Sequence, residues 1–184
     1  MPRPSAPLSL EFILLGLIIE KPMHGYDLYR ELSRLEALSE VWRVKKSLLY
    51  ALLEKLEATG FVTSTLLPSE SHVARWEFRP TPDGVAAFQV WIALPVEHPR
   101  AVRQEFLAKL YFARKAGRQN ALSLCSAQLE NCQGWLSALQ NQSSSQPPAA
   151  FKGMVERYSL HMIQATIQWL QELTRELEAN PSNV

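Results

Sequence analysis

Residues 43–50 read RVKKSLLY: three cations, Arg43, Lys45 and Lys46, with no acid among them, and then Ser47 and Tyr50. Leu49, Leu52, Leu53 and Leu56 keep the i, i+3, i+4, i+7 spacing of a helix with one buried face, so the cations sit at that helix's beginning. A helix N-terminus already carries partial positive charge and unpaired N–H groups. Cations added there make a compact site for phosphate. Ser47 and Tyr50 lie one turn apart and point outward between the leucines, within reach of a phosphate or a base edge. The chemistry on offer is anion binding and edge reading, with no bond made or broken.

Other reactive side chains do not assemble into a second chemistry. His24, His72, His98 and His161 are scattered without metal-ligand spacing, so no metal site is expected. The sequence has no Gly-rich phosphate loop and no nucleophile elbow, and the Ser–His pair in "SESH" sits in a polar turn. Neither an enzyme nor a cofactor is therefore expected. Of the five tryptophans, Trp42 and Trp76 fall near the basic helix and a strand, and Trp91, Trp135 and Trp169 fall on helices. Indoles fill cores, and they also line pockets for flat aromatic ligands. Those last three are the candidate lining of an effector pocket.

The elements that must hold these residues follow from periodicity. Residues 8–21 are apolar nearly all round, as in a helix buried on several sides, and Pro22 stops it. Residues 24–38 space Tyr29, Leu32, Leu35 and Leu38 three apart as an amphipathic helix. The basic-tipped helix spans about 45–59, with Gly60 as its stop. The period then changes from 3.6 to 2. Residues 61–67 and 73–79 form a two-stranded hairpin, the second strand alternating Arg75, Glu77 and Arg79 with Trp76 and Phe78. A connecting helix begins at Pro82 after a Thr81 cap, its boundary blurred by Gly84. After the linker at 95–99 come three long helical stretches, with Phe106 and Leu110 on the first stripe. The last, 151–179, carries Val155, Tyr158, Met162, Trp169 and Leu173 at spacings of three and four, a seam long enough for a coiled-coil-like contact.

The chain has 184 residues, 47% hydrophobic and 20% charged, at net charge +1. An anionic partner is thus met by a local patch and not by bulk charge. The first residues lack a signal peptide's pattern, and the apolar stretch at 8–19 is too short to span a bilayer and contains Glu11. Cys125 and Cys132, seven apart on one helix, are held about 10 Å apart by a rise of ~1.5 Å per residue. No disulfide joins them, and reduced core cysteines in a cytoplasmic protein, with no membrane partner, are expected.

Helix, helix, basic-tipped helix, hairpin, connecting helix: this order is that of a winged helix-turn-helix, whose third helix enters the major groove by its N-terminal end. The fold expected is mainly α, a winged helix-turn-helix domain with a two-stranded β wing at 1–94 and an all-helical dimerisation and effector domain at 95–184. The quoted elements resemble the PadR family of bacterial transcriptional regulators. "LLGLIIEKPMHGYDLYREL" is similar to that family's opening, "SLLYALLEKLEATGFV" to its recognition helix, and "RWEFRPTPDG" to its wing strand. "VRQEFLAKLYFA" and "RYSLHMIQATIQWLQEL" resemble the C-terminal domain of its longer members. The resemblance implies a homodimeric repressor bound to palindromic double-stranded DNA and relieved by a small aromatic ligand. It makes Tyr26 a backbone contact and Ser47 and Tyr50 recognition-helix contacts, beside Arg43, Lys45, Lys46 and the wing's Arg75 and Arg79. Phe106, Leu110, Val155, Tyr158, Met162, Trp169 and Leu173 are the expected dimerisation residues. Two other readings stand beside it: a winged helix used for protein contact, and a helical ligand-binding protein without a DNA role. Trp76 and Phe78 stand where the family often has paired tyrosines, and Ala51 follows Tyr50 where it often has Pro or Arg.

Overall fold

The computed structural model describes residues 9–35, 44–67, 75–143 and 150–179. Leu38, Trp42, Arg43 and His72 lie outside the described residues. The chain divides into two units, Met1–Trp91 and Ile92–Val184.

In the first unit, helix α1 (Ser9–Glu20) is the central post. Leu10, Ile13, Leu14, Leu15, Leu17 and Ile18 are all buried, which accounts for its apolar residues on every face. It ends two residues before Pro22, whose ring cannot continue the hydrogen-bond ladder. A two-residue strand β1 (Met23–His24) follows and leads directly into α2 (Gly25–Arg34), which buries Leu28 and Leu32. Helix α3 (Lys46–Ala58) buries Leu49, Leu52, Leu53 and Leu56, the four residues its spacing selects. Its end is a Schellman closure: Phe61 N–H bonds the Leu56 carbonyl and Gly60 N–H the Glu57 carbonyl, with Gly60 at φ 77.

Strands β2 (Val62–Leu67) and β3 (Arg75–Pro80) pair antiparallel with Val62 opposite Pro80 and Leu67 opposite Arg75. The sheet has three strands in the order β1-β3-β2, because Met23 and His24 pair with Phe78 and Glu77. The expected two-stranded wing therefore gains a third, very short strand that ties it to the turn after α1. Helix α4 (Pro82–Ala93) is capped as expected: Thr81 Oγ1 accepts from Gly84 N–H at 3.0 Å. The same hydroxyl donates to the Gly60 carbonyl at 2.6 Å, and Thr81 N–H donates to that of Phe61. A Cβ at position 84 would stand 2.1 Å from the Phe61 carbonyl oxygen, so only glycine lets α4 start against this junction.

The second unit begins with a short 3-10 turn (Pro99–Ala101) and a five-residue π turn (Val102–Phe106) leading into α5 (Leu107–Ala116). Helices α6 (Arg118–Ser143) and α7 (Ala150–Ala179) form a long antiparallel pair. Arg118, at the start of α6, donates to the Glu178 carbonyl in the last turn of α7 at 2.8 Å. The core gathers Phe106, Leu110, Ala113, Leu124, Cys125, Cys132 and Leu170 around Val96. Both cysteines are buried and free, and burial pushes the Cys125 thiol up to about 11. Gln128 is wholly buried, yet satisfied: it accepts from Val96 N–H at 2.7 Å and donates to the Val96 carbonyl at 3.4 Å. Lys109 is buried as well, held by the Leu94 carbonyl at 2.9 Å and Glu105 at 3.0 Å. Among the described residues no helix is long and apolar enough to cross a membrane.

Candidate nucleic-acid interface

The first turn of α3 sorts its residues by face. Lys45 occupies the N-cap position with extended backbone (φ −79, ψ 147), and its side chain makes no cap hydrogen bond. Lys46, Ser47, Leu48 and Tyr50 are exposed, whereas Leu49 between them is fully buried. The leucine stripe thus anchors the helix while its N-terminal end presents two ammonium groups and two hydroxyl-bearing side chains. The Lys46 Nζ lies 5.2 Å from the centre of the Tyr26 ring and 5.3 Å from that of Tyr29. Both rings come from α2, so the contact between the two helices also sets where this charge stands.

The His24-Gly25-Tyr26 triplet has a separate task for each member. His24 Nδ1 lies 3.2 Å from the Trp76 carbonyl, which only accepts, so Nδ1 is the donor of this bond, which pins the wing. Gly25 lies under the Tyr50 ring: a Cβ there would be 2.8 Å from Cε1. The bare backbone gives the phenol a floor to rest on. Tyr26, half exposed, then supports Lys46.

Between α3 and the wing runs a groove of about 920 Å³, lined by Tyr26, Tyr50, Glu54, Glu57, Arg75 and Trp76 among others. Glu57 accepts from Ser64 N–H at 3.1 Å and from its hydroxyl at 2.5 Å, so the far end of α3 is fastened to β2. A second brace is the ion pair of Lys55 with the buried Glu11 of α1, at 2.6 Å. The two wing arginines differ. Arg75 is exposed and lines the groove, whereas the Arg79 guanidinium stands 2.6 Å from the Glu77 carboxylate, which shares its charge.

The sequence-predicted residues therefore fall into groups. Tyr26, Lys45, Lys46, Ser47, Tyr50 and Arg75 are exposed on the first unit, and four residues of the groove or its supports, His24, Glu54, Glu57 and Trp76, escaped the sequence reading. Trp76 was visible as an apolar residue alternating with arginines, on the same side of the strand as Phe78, but how far the core reaches along that side was not: Trp76 is 54% exposed, whereas Phe78, two residues on, is buried. Trp91 stacks on Phe12 with ring centres 5.1 Å apart and is buried in the first unit's own core. Trp135 and Trp169 pack partly buried at the edge of the second unit's core, Trp169 edge-on to Phe106 at 6.0 Å.

The expected dimer seam also divides. Phe106 is fully buried and Leu110 nearly so, and Trp169 and Leu173 pack against the same core. Phe106 consequently has no surface left for a partner, because the π turn rolls it inward against α7. Val155, Tyr158 and Met162 are exposed, with Phe151 and Met154 beside them, Phe151 at 77%.

Two helices, a basic helix tip and a small antiparallel wing make the arrangement of a winged-helix domain. The profile of the "Transcriptional regulator PadR-like family" matches residues 14–90, and that of "Virulence activator alpha C-term" matches residues 102–178. The "Negative transcriptional regulator PadR" of Bacillus subtilis (strain 168) is 27% identical over 174 residues, which are 89% of this chain and 94% of that protein. Residues 14–90 thus carry a domain of the PadR-like family of transcriptional regulators, a family not known to be enzymatic. Among solved structures, that of Bacillus subtilis PadR in complex with operator DNA is 25% identical, covers 92% of this chain and 99% of that one, and has a TM-score of 0.47. The same protein in complex with p-coumaric acid is 25% identical, covers 93% and 99%, and has a TM-score of 0.42.

Proposed function

We propose that the chain is a homodimeric repressor, with residues 1–94 holding palindromic operator DNA and residues 95–184 joining the two copies. One observation carries this reading: the exposed tip from Lys45 to Tyr50, with Lys46 seated over Tyr26 and Tyr29 and Arg75 across the groove. Cations at a helix N-terminus suit phosphate, and the side chains one turn further in suit base edges. The name of the 27% identical relative supports repression as the sign of regulation. Dimerisation is supported by the exposed apolar stripe of Phe151, Met154, Val155, Tyr158 and Met162 on α7. A single recognition helix reads too little DNA for tight binding, and a two-fold pair reads two half-sites.

The test is a matched set of salt titrations on operator and scrambled duplexes. Lys45→Ala and Lys46→Ala each weaken both DNAs and flatten the slope of log K against log salt by roughly one unit. Lysine variants that bind like the parent refute the DNA-facing assignment. Operator release by a small aromatic effector belongs to the same proposal, supported by the partly buried Trp135 and Trp169. Quenching of tryptophan fluorescence then accompanies loss of operator affinity, and operator weakens the ligand by the same factor.

A further inference from the structure

We infer that Glu54 is a specificity-determining residue that reads a cytosine in the major groove, an inference that rests on the DNA-binding reading above. Ser47, Tyr50 and Glu54 stand at i, i+3 and i+7 on the exposed face of α3. Tyr50 and Glu54 both line the groove that Arg75 and Trp76 close from the wing. At ~1.5 Å per residue Glu54 is about 10 Å beyond Ser47 along the helix, or about three base-pair steps of ~3.4 Å. The stripe is therefore long enough to address separate base pairs.

The neighbouring carboxylates of this unit have structural partners: Glu11 has Lys55, Glu57 has Ser64, and Glu77 has Arg79. Glu54 is exposed and has no ion pair or hydrogen bond among the described residues. A lone carboxylate turned towards a duplex repels its phosphates, and so weakens binding to DNA at large. What offsets this is a donor at the base edge. Guanine shows two acceptors in the major groove and thymine one, and all of them repel a carboxylate. Adenine sets its N6 donor beside the N7 acceptor, a pattern that suits an amide. Cytosine N4 is a donor without an adjacent acceptor on its own base, and it is the match for Glu54.

The experiment is selection from a randomised duplex library by the full-length chain, Glu54→Ala and Glu54→Gln, followed by affinities for the selected sites. The parent selects a cytosine at one position of each half-site and loses about tenfold or more when that pair is exchanged. Glu54→Ala binds scrambled DNA more tightly and loses the preference at that position alone, and Glu54→Gln moves it towards adenine. A parent profile lacking such a cytosine overturns the inference, as do variants that bind all DNA more tightly with the profile unchanged, because Glu54 is then only repulsive. A parent that enriches no sequence at all is a different result: there the DNA-binding reading itself fails, and this inference falls with it.

Discussion

The two units expose opposite kinds of surface. On the first, Tyr26 lies beneath the Lys46 ammonium, and Tyr26, Tyr50 and Trp76, all exposed, line one groove with Arg75. On the second, Phe151, Met154, Val155, Tyr158 and Met162 form a stripe on one stretch of α7, whereas the unit's Lys109 and Gln128 are buried and satisfied inside. A surface that mixes rings with cations suits a hydrated polyanion. A stripe of large apolar side chains suits another apolar stripe, and without a partner it would leave that area in water at about 25 cal/mol per Å². The two faces thus suit two different kinds of partner.

The largest expected effect breaks the second face. Val155→Lys with Met162→Lys turns the dimer into a folded monomer by sedimentation and lowers operator affinity by roughly 10²–10⁴-fold, the loss of bivalent attachment. A full-length parent that sediments as a monomer at micromolar concentration removes the contrast between the faces. Next comes the anchor beneath the first face. Leu49 is fully buried, and Leu49→Ala lowers unfolding free energy by about 2–5 kcal/mol in a denaturant titration. A neutral result would mean that α3 is not held by its leucine stripe.

The outer side of the same helix behaves differently. Tyr50→Ala costs about 1–3 kcal/mol on operator and much less on scrambled DNA, with little change in unfolding. Gly25→Ala sharpens this, because a methyl group there displaces the Tyr50 ring and reproduces part of the operator loss without touching Tyr50's chemistry. Equal losses on both DNAs would make Tyr50 a support and not a reader. The smallest effect concerns the second unit's core. The Cys125 thiol is raised from 9.0 to about 11 by burial, so between those pH values the unfolded chain gives up a proton that the folded chain keeps. Stability is therefore fully present below pH ~9 and declines as pH rises towards ~11. Cys125→Ala lacks this thiol contribution, which paired alkaline melts of parent and variant would show.

Periodicity located the elements of both units, because helical leucine stripes and strand alternation are local signals. It found α3 with its four buried leucines, and it found β2 and β3 within two residues. Strand β1 is two residues long and exists by pairing with Phe78 and Glu77, a partner more than 50 residues away, so no local pattern announces it. The seam on α7 shows another limit. Val155, Tyr158 and Met162 keep the same spacing as Trp169 and Leu173, yet only the latter two pack against the core of α5 and α6. Spacing gives a common face, and the reach of the neighbouring helices decides which part of it is covered. At the candidate interface the residue types were readable, but the supports were not: His24 on the Trp76 carbonyl and Lys46 over two tyrosines of α2 join segments distant in sequence.

The seat of Lys46 has a thermodynamic consequence. A surface lysine free to rotate surrenders much of its side-chain entropy when it meets a phosphate, up to about 2 kcal/mol. Lys46, held between the rings of Tyr26 and Tyr29, has given up part of that freedom before any DNA arrives. A phosphate contact made by Lys46 would thus be less opposed by ordering than one made by Lys45 on the adjacent residue. Two lysines of equal charge will contribute unequally, with Lys46 keeping more of its share as temperature rises.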